Sequence, residues 1–273
     1  MQISLIVPTY GRYIEIEALL ESFTKQDFDK GKFEVILVDQ NDNIDLSPIV
    51  SQYVSRLNLL HYKTSVKGIA NAKNKGLELS TAPIVTFPDD DCTYYPDTIS
   101  AALNFFFLNP HVDVVYGKIF DRNENRNVMR NWSDKEIKLN LLNFSLNYSA
   151  ITCFTKLKIR FDENFGVGSK ISSGEELDYI IRAINQKYLI IYSPQIQMWH
   201  PELNVKTMKA DKVYNYAYGF GAIIRKNINL KVFFVFTLSL TYQISRFLLH
   251  IFSKDRSKYF FTITGRLKGF FKL

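Results

Sequence analysis

The sequence predicts an α/β fold built on a mostly parallel sheet, and three observations predict it. Short apolar, β-branched runs alternate with helical periods at close spacing from residue 3 to residue 119. Each early run ends in a polar or acidic residue, as at Val38-Asp39 and Phe87-Pro88-Asp89. Finally, Ile84-Val85-Thr86-Phe87-Pro88 runs directly into three adjacent carboxylates, Asp89, Asp90 and Asp91. Strand–helix alternation implies right-handed crossovers between parallel strands. In such sheets ligands sit beyond the carboxyl ends of the strands, where these acids fall.

In order, residues 3–7 read as a strand, and Pro8-Thr9-Tyr10-Gly11-Arg12 turns it into a helix carrying Ile16, Leu19, Leu20 and Phe23. A second strand at 33–38 ends at Asp39, followed by a helix around 48–57, a strand at 59–62, a helix over 68–79 and the strand at 83–87. Residues 95–108 form the next helix and 112–119 the next strand. The Asn-, Arg- and Glu-rich stretch 121–127 is expected to be a mobile loop, and 146–154 a strand. Ser172 or Ser173 is placed to cap a helix whose first turn holds Glu175, Glu176 and Asp178, with Leu177, Ile180, Ile181 and Ile184 as its buried stripe. Acids there suit the helix dipole, and at least one is expected to face the ligand crevice. The strand 188–192 closes the sheet, and Trp199-His200-Pro201 closes the globular part.

The chain has 273 residues and a net charge of +7, unevenly spread. Ten Lys or Arg against the single acid Asp255 give +9 from Arg225 onward, so the first 224 residues sum to 7 − 9 = −2. That balance argues against a nucleic-acid groove and points the basic tail at an anionic membrane surface. The tail opens with a helix expected over 204–227. Lys231 and Arg246 then bracket 14 uncharged residues, short of the ~20 a span requires, so an in-plane helix or a helix pair is expected. The alternative is a helical hairpin packed on its own domain or on a second subunit. Bases interleave with aromatics from Lys254 to Phe271. Cys92 and Cys153 make neither a disulfide framework nor a zinc site. With no basic leader, the expected location is cytoplasmic, peripheral to the inner face of the cell membrane.

Three crowded carboxylates raise one another's pKa and call for a cation. Oxygen ligands at a strand end suit Mg²⁺ or Mn²⁺ shared with a substrate's phosphates. No G-x-G-x-x-G follows the first strand and no P-loop is present, which disfavours dehydrogenase and P-loop chemistry. His200, past a strand end, is placed either as a structural residue or to reach the same metal or diphosphate.

Taken together, Ser4–Arg12, Val38-Asp39, the Gly68–Gly76 stretch, Phe87–Asp91, Gly174–Tyr179 and His200 resemble, in order, the motifs of family 2 glycosyltransferases over residues 2–225. The resemblance implies a GT-A fold, a Rossmann-like sheet flanked by helices, over residues 1–203. Its nucleotide-binding half would be about 1–120 and its acceptor half about 121–203, with a helical, membrane-proximal extension over 204–273. It implies a nucleotide-diphosphate sugar donor, most often a UDP-sugar, a glycan or lipid-linked acceptor, Mn²⁺ or Mg²⁺, and inversion at the anomeric carbon. Nucleotide-sugar binding would fall to Pro8, Thr9, Tyr10, Arg12, Asp39, Lys73, Asn74, Asp89 and Asp90. Asp91, Asp89 and His200 would hold the metal, and Glu176, with Glu175 and Asp178 beside it, would supply the acceptor-side base. Three departures stand out: Gln40 where the family has a second Asp, Lys73 for Arg, and Glu176 for Asp. Lys73 keeps the charge but loses the bidentate fork. A nucleotidyltransferase and a non-catalytic membrane-associated binding module are the alternatives that the residues alone leave open.

Overall fold

The computed structural model describes residues 1–202, 208–253 and 256–272; the opening of the helix expected at 204 and the tail residues Lys254 and Asp255 lie outside them. The chain divides into two compact units, Met1–Arg160 with Lys187–Leu203, and Phe161–Gln186 with Asn204–Leu273. In this division residues 161–186 group with the C-terminal helices.

The first unit contains β1 (Ile3–Thr9), α1 (Ile14–Thr24), β2 (Phe33–Asp39), α2 (Ser47–Tyr53), β3 (Leu59–Lys63), α3 (Ile69–Leu79) and β4 (Ile84–Thr86). It continues through β5 (Thr93–Tyr94), α4 (Thr98–Leu108), β6 (Val114–Asp121), β7 (Arg126–Asn127), β8 (Ile137–Lys138), β9 (Cys153–Thr155) and β10 (Ile190–Trp199). One sheet runs β3-β2-β1-β4-β9-β6-β10-β5. β1 pairs in parallel with β2 and β4, and β2 with β3, so Thr9 and Asp39 share a register at one strand-end edge. Every residue of β1 is buried, as expected of a strand covered on both faces. α3 lies directly on it: a Cβ on Gly76 would stand 2.1 Å from the Ile6 side chain. Beyond β4 the sheet turns mixed, because β9 inserts antiparallel between β4 and β6.

Three expectations change here. The strand foreseen over 146–154 is only Cys153–Thr155, preceded by two 3₁₀ turns. Thr152 Oγ1 donates to Ser149 O at 2.8 Å, a local bond of the kind that competes with strand pairing. The last strand does not stop at 192 but reaches Trp199, and the pairing with β6 shifts register between Tyr192 and Gln197, which accommodates Pro194. The stretch expected to be a mobile loop is the β6–β7 hairpin, whose turn is tied by Asp121 Oδ1 accepting from the Asn123 and Glu124 amides.

The second unit holds α5 (Glu175–Asn185), α6 (Ala210–Lys226), α7 (Leu230–Leu249) and α8 (Arg256–Phe271). α6 and α8 cross backbone to backbone: a Cβ on Gly269 would lie 2.0 Å from Tyr218 O, and one on Gly221 2.1 Å from Arg266 O. Neither serine caps α5. Its N-cap is Gly174 at φ +96°, where a Cβ would also meet Ile223 at 2.2 Å, and Ser173 Oγ instead donates to Asn215 O on α6. Ile180 and Ile181 are buried as expected, whereas Leu177 and Ile184 are half-buried and Tyr179 and Ala183 complete the stripe. α7 is one continuous 20-residue helix that includes both Lys231 and Arg246, and by length and composition it could cross a membrane. Phe236 stacks on Phe270 of α8 at 4.6 Å, while Leu230, Phe234, Leu238, Leu248 and Leu249 are exposed.

Candidate active site

The carboxyl edge of the parallel strands in the first unit gathers the predicted acids. After β4 the chain turns tightly, Cys92 N donating to Asp89 O, so the three aspartates fan out rather than extend. Thr9, the last residue of β1, donates to Asp90 Oδ2 at 2.8 Å. Arg12 donates to Asp91 Oδ2 at 2.9 Å and to Glu15 at 2.7 Å, and its Nε lies 3.7 Å from Asp90. His200, just past β10, places Nε2 3.1 Å from Asp91 Oδ1. Ligand atoms of Asp89, Asp91 and His200 all lie within 4.8 Å of one another.

Electrostatics divides the triplet. Burial pushes the Asp90 carboxyl up to about 6 against the Thr9 hydrogen bond, and the charges of Asp89 and Asp91 push the same way. The His200 hydrogen bond holds Asp91 below the usual carboxylate range in spite of burial, helped by the charges of His200 and Arg12. Burial alone would lower the His200 imidazole, but the bond to Asp91, its charge and the Pro201 carbonyl raise it above its ordinary value. With Nδ1 donating to Pro201 O at 2.6 Å, the ring orientation is fixed and Nε2 is the nitrogen that faces the carboxylates.

Asp39 is fully buried at the end of β2. Its Oδ1 accepts from Asn41 N and Nδ2, both at 2.8 Å, and its Oδ2 lies 3.0 Å from His61 Nε2 on β3. Asn41 Oδ1 in turn accepts from Gly11 N at 2.6 Å, which ties the Tyr10–Arg12 turn to β2. The departure at Gln40 has a physical reason: Nε2 donates to Val66 O at 2.6 Å and Gly68 O at 3.1 Å, bonds a carboxylate could not make. Tyr10 is exposed, with Lys67 Nζ 5.0 Å from its ring centre and 2.7 Å from Asp42. Pro8 is buried within β1, and Lys73 and Asn74 are buried on α3. Sequence reasoning missed Asn41, His61 and Lys67; the polar run Gln40-Asn41-Asp42-Asn43 after an apolar strand was their only signal.

In the second unit the three acids of α5 part company. Asp178 is fully buried, with Arg182 Nε at 2.8 Å on one oxygen and Lys226 Nζ at 2.9 Å and Asn227 Nδ2 at 2.8 Å on the other. Lys226 also reaches Asp162 at 2.6 Å. One Asp178 oxygen thus ties α5 to the end of α6, and the other is held within α5 by Arg182. Glu175 is buried and Glu176 half-buried in the first turn of the helix.

The family model "Glycosyl transferase family 2" matches residues 4–167. The chain belongs to glycosyltransferase family 2. An uncharacterized glycosyltransferase of Haemophilus influenzae is 32% identical over 114 residues, 42% of this chain and 37% of that protein. The poly(ribitol-phosphate) β-N-acetylglucosaminyltransferase TarS of Staphylococcus aureus is 35% identical over 121 residues, 44% of this chain and 21% of TarS. These matches therefore span well under half of either relative. Among solved structures, S. aureus TarS 1–349 in complex with UDP-GlcNAc aligns over 98% of this chain and 81% of that one, at TM-score 0.66 and 22% identity. The mannosyltransferase PcManGT of Pyrobaculum calidifontis, in complex with GDP-Man and Mn²⁺, covers 99% of this chain and 87% of its own, at TM-score 0.63 and 15% identity. The fold is GT-A, as the motifs implied.

Proposed function

We propose that this glycosyltransferase moves a sugar, with inversion, from a nucleotide-diphosphate donor to a glycan or lipid-linked acceptor in cell-surface glycan synthesis. The observation that carries this reading is the Asp89, Asp91 and His200 cluster at the sheet edge where nucleotides bind in such folds. Two carboxylates and an imidazole oriented by the Pro201 carbonyl fit a divalent ion, and the nitrogen favours Mn²⁺ over Mg²⁺. When bound, such an ion neutralises charge on the departing diphosphate. The relatives supply the donor class: TarS was solved with UDP-GlcNAc and PcManGT with GDP-Man.

The chain's own residues supply the rest. Tyr10, in the turn that Asn41 and Gly11 brace, offers a ring for the nucleoside base, and Thr9 with Asp90 borders the ribose. Arg12 orients Asp91 and adds positive charge beside the diphosphate. Asp39 acts through Asn41 and His61, as a positioning residue rather than an open acceptor for base or ribose. Lys73 and Asn74 stay assigned to donor recognition from within α3. Glu176 takes the proton of the attacking acceptor hydroxyl. Asp178, held by two cations, positions α5, and Glu175 accompanies it.

The basic three-helix end is assigned to the inner face of the membrane. α7 exposes Leu230, Phe234, Leu238 and Leu249, and between residues 208 and 272 the described residues hold Asp211 as their single acid against eleven Lys and Arg. A second copy would meet this face with like charge, whereas anionic lipid complements it. Leu238→Glu in the full chain should reduce sedimentation with anionic liposomes and leave that with neutral ones unchanged; equal sedimentation of both proteins refutes the assignment.

The experiment that tests the enzymatic reading is a thermal-shift screen with Mn²⁺ across nucleoside diphosphates and their sugars. One nucleotide should stabilise the protein in a Mn²⁺-dependent way. Stabilisation by none, in folded protein, would refute it.

A further inference from the structure

The first unit holds a cavity of about 660 Å³ that the donor site does not use, lined by Met129, Arg130, Trp132, Ser133, Ser145 and Asn147 among others. Its central feature is a half-buried guanidinium. Arg130 Nη1 donates to Ser145 O at 2.7 Å, and its Cζ lies 4.9 Å from the Trp132 ring centre. Trp132 is itself buried and stacked on Tyr192 at 6.0 Å, and its Nε1 donates to Val128 O. The ring therefore braces the guanidinium and is covered as a sugar platform. Among the described residues no carboxylate lies within ion-pairing distance of Arg130. The acids nearest in sequence serve elsewhere, Asp134 3.6 Å from Lys118 and Glu136 accepting from Ser193 Oγ at 2.9 Å. Most N–H groups of a five-donor cation thus point to no protein acceptor, in a partly desolvated setting where a charge calls for a partner. Burial lowers the Arg130 guanidinium below its ordinary value, with Tyr148 opposing.

The cavity wall is continuous with the metal-ligand strand. Val128 N donates to Ile119 O, Ile119 is in register with Met198 of β10, and His200 follows two residues later. Tyr192 of the same strand donates to Ser133 O at 2.7 Å.

We propose that this cavity is an acceptor subsite in which Arg130 binds an anionic group, a phosphate or a carboxylate, carried on the acceptor. The inference rests on the transferase reading for the word acceptor, and on Arg130 alone for the anion. A guanidinium matches both oxyanions with paired N–H donors, and hydrogen bonds to a charged partner are the strong ones.

The test is ligand-observed saturation-transfer NMR on the full chain without metal. The probes are glycerol 3-phosphate and glucuronate, each against its uncharged counterpart, glycerol or glucose. Wild-type protein should bind at least one anion about tenfold more tightly than its neutral counterpart, and which one responds separates phosphate from carboxylate. Arg130→Gln should erase the preference, and Arg130→Lys should keep part of it with the melting temperature of the wild type. Anions and neutral probes binding alike, or a preference that persists in Arg130→Gln, would overturn the subsite. UDP with Mn²⁺ is titrated into separate aliquots of each protein. Its retention in Arg130→Gln is expected, and its failure in the wild type would strike the transferase reading while leaving the anion result to stand or fall by itself.

Discussion

Two acidic clusters look alike in the sequence and are opposites in the structure. At Asp89–Asp91, Arg12 reaches both Asp90 and Asp91, His200 reaches Asp91, and burial lifts Asp90 to about 6. At α5, Asp178 is met by Arg182, Lys226 and Asn227, and Lys226 also serves Asp162. The first cluster crowds three carboxylates at a strand-end edge, where burial disfavours charge on Asp90, and in the second Lys226 and Asn227 tie Asp178 of α5 to the end of α6. Carboxylates crowded until burial and mutual repulsion lift one of them suit a cation, whereas a carboxylate met by bases from two elements makes a joint.

The contrast breaks if the two clusters respond alike to mutation. Asp91→Ala should abolish sugar transfer, a fall on the order of 10⁴-fold. It should lower the melting temperature only a little, the lost bonds to Arg12 and His200 being partly offset by relief of repulsion at Asp90. Glu176→Gln should lower turnover about 10³-fold, within the range that loss of a general base spans, with Mn²⁺-dependent UDP binding unchanged. Transfer at the wild-type rate would remove Glu176 from the mechanism. Asp178→Asn should act the other way round. It leaves Arg182 and Lys226 short of a carboxylate and costs about 3 kcal/mol of stability, read by thermal or urea unfolding. Below the melting transition, UDP binding should persist.

The parallel half of the fold was legible because β1 and β2 are continuous apolar runs, which only a doubly covered strand requires. The grouping of Asp89, Asp91 and His200 was legible because Asp89 and Asp91 follow such a run and His200 follows another. What the sequence hid depends on long-range partners. Asn41 and His61, the partners of Asp39, and Lys226, the partner of Asp178 48 residues later, meet them only in the fold. β10 was cut short at 192 because a proline in a strand reads as a stop, and only the register shift against β6 shows how the strand carries it. The serine caps failed for a backbone reason, since the N-cap of α5 takes φ +96°, a conformation suited to Gly174 and not to a serine.

The measurement that tests the account most directly is anomalous diffraction at the manganese edge from crystals soaked in MnCl₂ and UDP. The account predicts one manganese peak bonded to Asp91 and shared with the diphosphate, with Asp89 and His200 Nε2 in or beside its coordination sphere. Manganese and UDP bound together at any other place on the molecule would contradict it.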